Sequence, residues 1–455
     1  MRLSDGLYRE ARALIANRLG LDFPEGRQAD LERGLVCACR AASISAPERY
    51  LSWLAALPHE SPEWRRLAGY LAVGETHFFR DRCCFAALER DVLPSLIATR
   101  RTEGVRRLRL WSAGCASGEE PYSLAILLDR LLPDRADWTL TILATDINPE
   151  ALQVARRGFY RTWSLRETPS WIQDRQFHRR GAQDFELDPR IRQMVTFALL
   201  NLVEESYPAI VTNTNAMDLI LCRNVLMYFT PEAQRLTAGR FQRTLVAGGW
   251  LVVSPAEAAA ELFRPLAPVS LPGAVLFRKD QPSEVPLLPV RQAETLAAGP
   301  PAHSADVAGR SVTPVTEEPT EVTRDTRTIL QGARALADQG RLEQARQLCE
   351  AALAENRLDP EAHLLMAAIS QERGEIPAAQ EALRRAIYLA PDFAPAHFLL
   401  SGLLLRQGKR ARGRRCLETV VRLLSAVPRD ETVPGSDGLT AGRLLATARA
   451  YLASS

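Results

Sequence analysis

The chain has no cysteine pair at C-x-x-C spacing; Cys37, Cys39, Cys83, Cys84, Cys115, Cys222, Cys349 and Cys416 are scattered along it. That argues against a zinc ribbon or a disulfide scaffold, so free thiols and no metal are expected. No uninterrupted apolar run is long enough to span a bilayer, and charges interrupt the opening MRLSDGLYREARALI where a signal peptide would need an apolar core. The expectation is a cytoplasmic protein without direct membrane insertion. One-sided charge is missing too: 57 basic against 54 acidic residues leave +3, which speaks against a dedicated nucleic-acid binder. What remains is an ordinary globular composition, 46% hydrophobic and 24% charged, over 455 residues. Two or three domains are expected at that length.

Residues 1–90 place apolar side chains at helical spacing (Leu7, Ala11, Leu14, Ile15, Leu19), with Pro24, Pro47, Pro58 and Pro62 as punctuation, and predict a helical domain. The stretch Gly74-Glu75-Thr76-His77-Phe78-Phe79-Arg80-Asp81 fits neither helix nor strand; its plain reading is a loop whose two Phe side chains fill a join. Strand and helix patterns then alternate through 91–279. Strands are expected at 107–112, 139–145, 196–202, 218–222 and 250–254, a closing pair at 266–270 and 274–278, and helices at 119–132, 149–157 and 231–246. Such alternation specifies an α/β domain with a mostly parallel sheet, here closed by an antiparallel end. An insertion at 158–195, with its β-structure near 165–195, carries a polar turn at Gly181 between Phe177 and Phe185 and reads as a short hairpin that could add a docking surface.

Residues 280–325 are rich in Pro, Ala, Ser, Thr and Glu without periodicity, the pattern of a flexible linker. Beyond it, Gly340, Gly374 and Gly408 recur at a 34-residue step, as do Ala333, Ala367 and Ser401. With Pro360 and Pro391 between hairpins, 326–455 resembles three tetratricopeptide repeats, capped by an amphipathic helix at 439–452.

The most informative stretch is LRLWSAGCASGEEPYSLAILL, where a strand pattern runs through Gly114, Ala116 and Gly118 into a helix. Free N–H groups and a helix start converge there, as at many ligand sites. A dinucleotide would want G-x-G-x-x-G with an open helix start, but the second glycine is Ala116, and Glu119 and Glu120 would repel a pyrophosphate. The same carboxylates suit a cationic ligand such as S-adenosylmethionine. A plainer role stands beside this: Ser117 caps the helix and the glutamates favour its positive end. Asp146, after the second strand, is placed to accept from two ribose hydroxyls; it could instead cap the helix at Pro149, although Asn148 fits that cap better.

GETHFFRD, WSAGCASGEEPYSLAI, ATDINPEAL, NLVEE and LILCRNVLMYF occur in order, and residues 1–279 resemble the CheR family of chemoreceptor glutamate methyltransferases. The resemblance implies a helical N-terminal domain, a Rossmann-like class I methyltransferase domain and a small β-insertion. It implies that Thr76 and Arg80 lie over S-adenosylmethionine with Arg80 near its carboxylate. Glu119 would take the ammonium, Asp146 the ribose, Asn201 and Leu202 the adenine side, and Arg223 and Asn224 the reacting end. Gly114 and Gly118 belong to the same cofactor site. Gly74 stands where the family often has Asn, so a side-chain contact is lost or replaced by backbone. Tyr228 could line the methyl channel or be core, and Arg80, Arg223 and Tyr228 are the candidate catalytic side chains. With linker and repeats added, the architecture resembles that of a methyltransferase of a surface-sensing, biofilm-controlling pathway.

The implied reaction moves the sulfonium methyl to a glutamate on the cytoplasmic helical bundle of a methyl-accepting chemoreceptor, to which the enzyme would be recruited. Since that bundle is acidic, Arg65, Arg66, Arg100, Arg101, Arg106 and Arg107 are candidates for a basic docking face, or are simply solvated. The repeats would bind an unidentified protein or peptide, the receptor, another signalling protein and the chain's own catalytic domain being the candidates. Three other readings stand: a different acceptor such as RNA or a small molecule, an S-adenosylmethionine-binding scaffold or sensor working through its repeats, and a nicotinamide oxidoreductase, which Glu119 and Glu120 disfavour.

Overall fold

The computed structural model describes residues 3–58, 61–272, 274–280 and 321–454, so most of the expected linker lies outside the described residues. Its last positions, 321–325, already belong to the helix Glu321–Asp338. Among the described residues no helix is long and apolar enough to cross a membrane.

The strands are β1 (Arg107–Ala113), β2 (Thr139–Asp146), β3 (Phe159–Arg161), β4 (Phe177–Arg179), β5 (Asp184–Leu187), β6 (Val195–Leu199), β7 (Met217–Leu221), β8 (Leu245–Val252), β9 (Ala267–Leu271) and β10 (Ala274–Arg278). Seven form a sheet in the order β6-β2-β1-β7-β8-β10-β9. From β6 to β8 neighbours run parallel, and β10 is antiparallel to both β8 and β9. Every residue of β1 is buried, as expected of a strand with both faces covered. The two-residue period of the strand divides its side chains. Trp111 and Ala113 join a core shared with Ile15, Leu31 and Leu67 of the N-terminal helices, while Leu108 and Leu110 join one shared with Leu124 and Leu128 of the helix Glu119–Leu131.

Two boundaries differ most from the sequence pattern. The helix Pro231–Thr244 stops before Leu245 and Val246, which open β8, because a short apolar run satisfies a helix face and a buried strand equally. β6 ends at Leu199, and Leu200–Leu202 leave the sheet. The insertion is a three-stranded antiparallel sheet in the order β3-β5-β4 rather than a lone hairpin. Phe78 anchors it, its ring edge-on to Tyr160 at 4.8 Å and to Phe177 at 4.9 Å.

The N-terminal helices Asp5–Leu19, Gln28–Ala41, Pro47–Ala55 and Pro62–Leu71 are tied by backbone bonds to the loop that follows β7. Asp22 N–H donates to Tyr228 O at 2.8 Å and Thr230 N–H to Gly20 O at 2.8 Å. At the other end of the chain, helices pair as Glu321–Asp338 with Leu342–Glu355, Pro360–Glu372 with Ile376–Leu389, and Ala394–Arg406 with Arg410–Leu424, followed by Ala441–Ser454. Gly340, Gly374 and Gly408 close the three hairpins in the left-handed region (φ 76°, 78° and 73°), which explains why glycine marks the 34-residue step. These helices pack on the amino ends of the parallel strands, where Glu372 pairs with Arg107 and Arg109, and the last helix runs beside edge strand β6.

Asp338 lies in this junction. Burial, and then the charge of Asp437, raise its carboxyl to about 6, with Arg334 and Asn215 acting in opposition. A carboxyl raised on folding is more stable protonated, so stability falls as pH rises from the unfolded value through about 6. Asp338→Asn should therefore stabilise the protein at pH 7.5 by up to ~3 kcal/mol, a gain that shrinks towards pH 4.5, as read from melting temperature against pH.

Candidate functional site

The neighbours of β1 are β2 on one side and β7 on the other, so the chain leaves the carboxyl ends of these strands in opposite directions and opens a crevice. The cleft there encloses about 1080 Å³, part of it open to solvent. Turns from the sheet form its floor, and Leu19, Leu21, Arg27 and residues 71–76 form the facing wall.

The turn after β1 places Gly114 on the cleft and Gly118 behind it. Both have positive φ, 84° and 94°. A Cβ on Gly118 would sit 2.8 Å from that of Ala155, so this glycine serves the approach of two helices and not the cleft, contrary to the sequence expectation. The expected pairing of carboxylates also changes. Successive helical residues point ~100° apart, so only one of Glu119 and Glu120 can face the crevice. Glu120 does: it accepts from Ser112 Oγ at 2.7 Å and from Arg223 Nη1 at 3.4 Å. Glu119 turns towards the small sheet, accepting from Ser117 Oγ at 2.7 Å and Ser164 Oγ at 3.0 Å. Ser117 therefore does not cap the helix; its N-cap is Gly118, without a side-chain bond. Burial raises the carboxyl of Glu119, opposed by its hydroxyl donors, and raises that of Glu120, opposed by the charge of Arg223.

Asp146 lines the cleft at the end of β2. Its Oδ2 accepts Ala116 N–H at 2.8 Å and its Oδ1 Asn148 N–H at 2.8 Å. Burial raises its carboxyl, and these N–H groups pull it back. The helix Pro149–Arg157 is capped by Asn148, whose Oδ1 accepts from Glu150 N–H at 3.0 Å and Ala151 N–H at 3.3 Å. Asp146 is thus spared that task.

The Gly74–Asp81 stretch crosses the cleft mouth. Phe78 and Phe79 are buried, and Phe79 and Asp81 hold left-handed backbone (φ 55° and 67°), a conformation that disfavours side chains other than glycine. Phe79 N–H donates to Ser123 Oγ at 2.9 Å and Phe78 N–H to Ser164 O at 2.9 Å, so the strained segment is held from both sides. Gly74, Thr76 and Arg80 line the cleft, and Arg80 Nη1 donates to Glu75 O at 2.6 Å. A Cβ at Gly74 would meet nothing within 4 Å, so the position the family often fills with Asn is open space here.

Asn201 and Leu202, after β6, and Arg223 and Asn224, after β7, complete the lining with Tyr228. Arg223 is buried between Glu120 and Asp81, whose Oδ2 lies 3.3 Å from its Nη2, so its charge is already shared by two carboxylates. Sequence reasoning missed Glu257. Its carboxylate accepts N–H from Asn224 at 2.8 Å, Val225 at 2.8 Å and Met227 at 3.1 Å, and so shapes the whole turn after β7. The signal was present as Ser254-Pro255-Ala256-Glu257, an S-x-x-E capping box. Arg27 was missed too; its guanidinium stacks over Tyr228 at 4.8 Å, joining the helical wall to the sheet side.

Most of the expected basic face is elsewhere. Arg100, Arg101, Arg106 and Arg107 lie around the amino end of β1, paired with Asp218, Asp134, Asp137 and Glu372. Arg65 and Arg66 border a second groove, which shares Asn148 with the cleft. Among the described residues no group of His, Cys, Asp and Glu could hold a metal ion.

Residues 74–269 match the family described as CheR methyltransferase, SAM binding domain. The chain is similar to the "Probable chemotaxis protein methyltransferase" of Rhizobium etli, 34% identical over 207 residues that cover 45% of this chain and 75% of that protein. It is 28% identical to the "Probable biofilm formation methyltransferase WspC" of Pseudomonas aeruginosa over 428 residues, 90% of this chain and 97% of that protein. A 104.1 kDa uncharacterized protein of Rhodobacter capsulatus is 33% identical over 256 residues, and the match spans 26% of its length. A crevice whose carboxylates suit a cationic ligand and whose motifs match in this way has one reading: the chain belongs to the CheR family of S-adenosylmethionine-dependent methyltransferases.

Proposed function

We propose that this enzyme transfers the methyl of S-adenosylmethionine to glutamate side chains on the cytoplasmic helical bundle of a chemoreceptor and so tunes a chemosensory pathway, one controlling biofilm formation. The observation that carries the reading is the pair Glu120 and Asp146, half-buried carboxylates at one crevice beside Arg80. The likeness over 90% of the chain to a protein named for biofilm formation supports the narrower pathway. The 34-residue helical hairpins are read as three tetratricopeptide repeats, following a helical domain at 1–90, a catalytic domain at 91–279 and a linker. Nothing in the reading requires membrane insertion; a cytoplasmic enzyme recruited to membrane-bound receptors suffices.

In this reading Glu120, not Glu119, takes the ammonium of S-adenosylmethionine. Arg80 takes its carboxylate, Asp146 its ribose, and Asn201 with Leu202 the adenine side. Bound there, S-adenosylmethionine supplies a methyl made electrophilic by the sulfonium. An acceptor glutamate has a reference pKa of about 4.3 and is ionised at neutral pH, so no side chain need act as base. The work of the protein is positioning, which can supply roughly 7–11 kcal/mol. Arg223, engaged by Glu120 and Asp81, is a positioning residue that fixes Glu120. That suits the task, because a free guanidinium gripping the acceptor carboxylate would stabilise the ground state. Tyr228, held by Arg27, borders the approach to the methyl, with Asn224 beside it.

The reading is tested by labelled methyl transfer to receptor cytoplasmic fragments: the label should leave as methanol at high pH, as an ester does, and label that resists base or appears on RNA would overturn it. Glu120→Gln should weaken S-adenosylmethionine binding by about 10-fold or more in calorimetry, the scale of one charge-assisted bond, whereas Glu119→Gln should stay within about 3-fold. Since burial raises the carboxyls of both Glu120 and Asp146, the ionised forms that hold the ligand are lost sooner on acidification. Affinity should accordingly begin to fall at a pH above the usual carboxylate range, as a titration series by calorimetry would record.

A further inference from the structure

We propose that the face formed by the first helices of the C-terminal hairpins is a receptor for this chain's own residues 207–216, and that this self-docking steadies the Asn201 side of the cofactor cleft. The second part rests on the assignment of that cleft to S-adenosylmethionine. The first stands on its own.

The segment joins β6 to β7 and lies against the first helices of the hairpins. Ile210 belongs to a buried cluster with Ala333, Ala337, Leu365 and Ile369, and Val211 to another with Ala394 and Phe398. Its polar groups are met as well. Ile210 N–H donates to Asp437 Oδ2 at 2.8 Å, and Asn215 Nδ2 donates to Asp338 Oδ1 at 3.4 Å. From the sheet side, the fully buried Arg109 donates to Asn213 O at 3.0 Å, to Asn213 Oδ1 at 2.8 Å and to Asn215 O at 3.1 Å. The same guanidinium pairs with Glu372 of the helical face, which also accepts from Arg107 at 2.9 Å. Two arginines of β1 thus pair with one glutamate of the helical region, and one of them also holds the segment in place. A partner peptide entering this face would have to expel both β-branched side chains and leave buried charges unpaired, which disfavours an outside occupant.

The link to the cleft is short. Tyr207 OH donates to Leu202 O at 2.7 Å. Arg443, on the last helix, donates to Glu205 O at 2.9 Å and lies 4.0 Å from Glu204, whose carboxylate accepts from Asn201 Nδ2 at 3.3 Å. Asn201 and Leu202 line the cleft. The helical region therefore reaches the residues assigned to the adenine side by two routes, Arg443 through Glu204 to Asn201, and the docked segment through Tyr207 to Leu202.

The test uses the full chain with a protease site placed between residues 281 and 320. After cleavage the two pieces should co-elute in gel filtration, with S-adenosylmethionine affinity within about 2-fold of the uncut chain. Amides of 207–216 should stay protected in hydrogen exchange before and after the cut, a readout that needs no substitution. In cleaved Ile210→Asp and Glu372→Arg proteins the pieces should separate and the affinity drop about 10-fold, while circular dichroism keeps its helical signal. Separation of the unaltered pieces, or rapid exchange across 207–216, would overturn the self-docking. Separation of the altered pieces with affinity unchanged would overturn the coupling and leave the assignment of the cleft untouched.

Discussion

The Asp146 carboxylate, accepting Ala116 N–H on one oxygen and Asn148 N–H on the other, ties the turn after β1 to the turn after β2. Each turn alone is a short loop with few side chains to hold it. Joined through one carboxylate, they become one floor, and the rest of the cleft is built against it. Glu257 repeats the device on the other side, taking three backbone N–H groups of the turn after β7. A parallel sheet exposes all such turns at one end, where no ladder partner remains for them. In this chain, the acidic side chains of Asp146 and Glu257 supply the acceptors and thereby set the polarity of the cleft.

That arrangement explains what could be read from the sequence. The strand, glycine turn and helix at 108–128 were legible because two periodicities meet there, and Asp146 because it follows a strand end. The choice between Glu119 and Glu120 was not, since adjacent carboxylates at a helix start look alike until the helix is oriented by its packing. Gly118 misled for a related reason: glycine marks both ligand approach and helix approach, and here Ala155 decides. Glu257 acts 30 to 33 residues from the turn it serves, so its capping box pointed only to local use. Strand β3 is three residues long and too brief to show alternation.

Long-range charge was the least legible layer. Arg107 read as part of a surface patch, yet it is buried against Glu372, 265 residues away, and its strand neighbour Arg109, outside that expected patch, is buried against the same glutamate. A single carboxylate on the helical region thus turns two costly buried cations into an anchoring point. The helical hairpins were visible by their period, and the turn glycines show why that period exists. Period says nothing about which face is covered.

The last helix, Ala441–Ser454, lies beside β6, one of the two edges of the large sheet. An open parallel edge carries unpaired N–H and C=O groups that template pairing between molecules. The opposite edge, β9, is guarded differently, by Pro268, which lacks a donor. Covering β6 makes the helical tail a guard against strand addition from a second molecule.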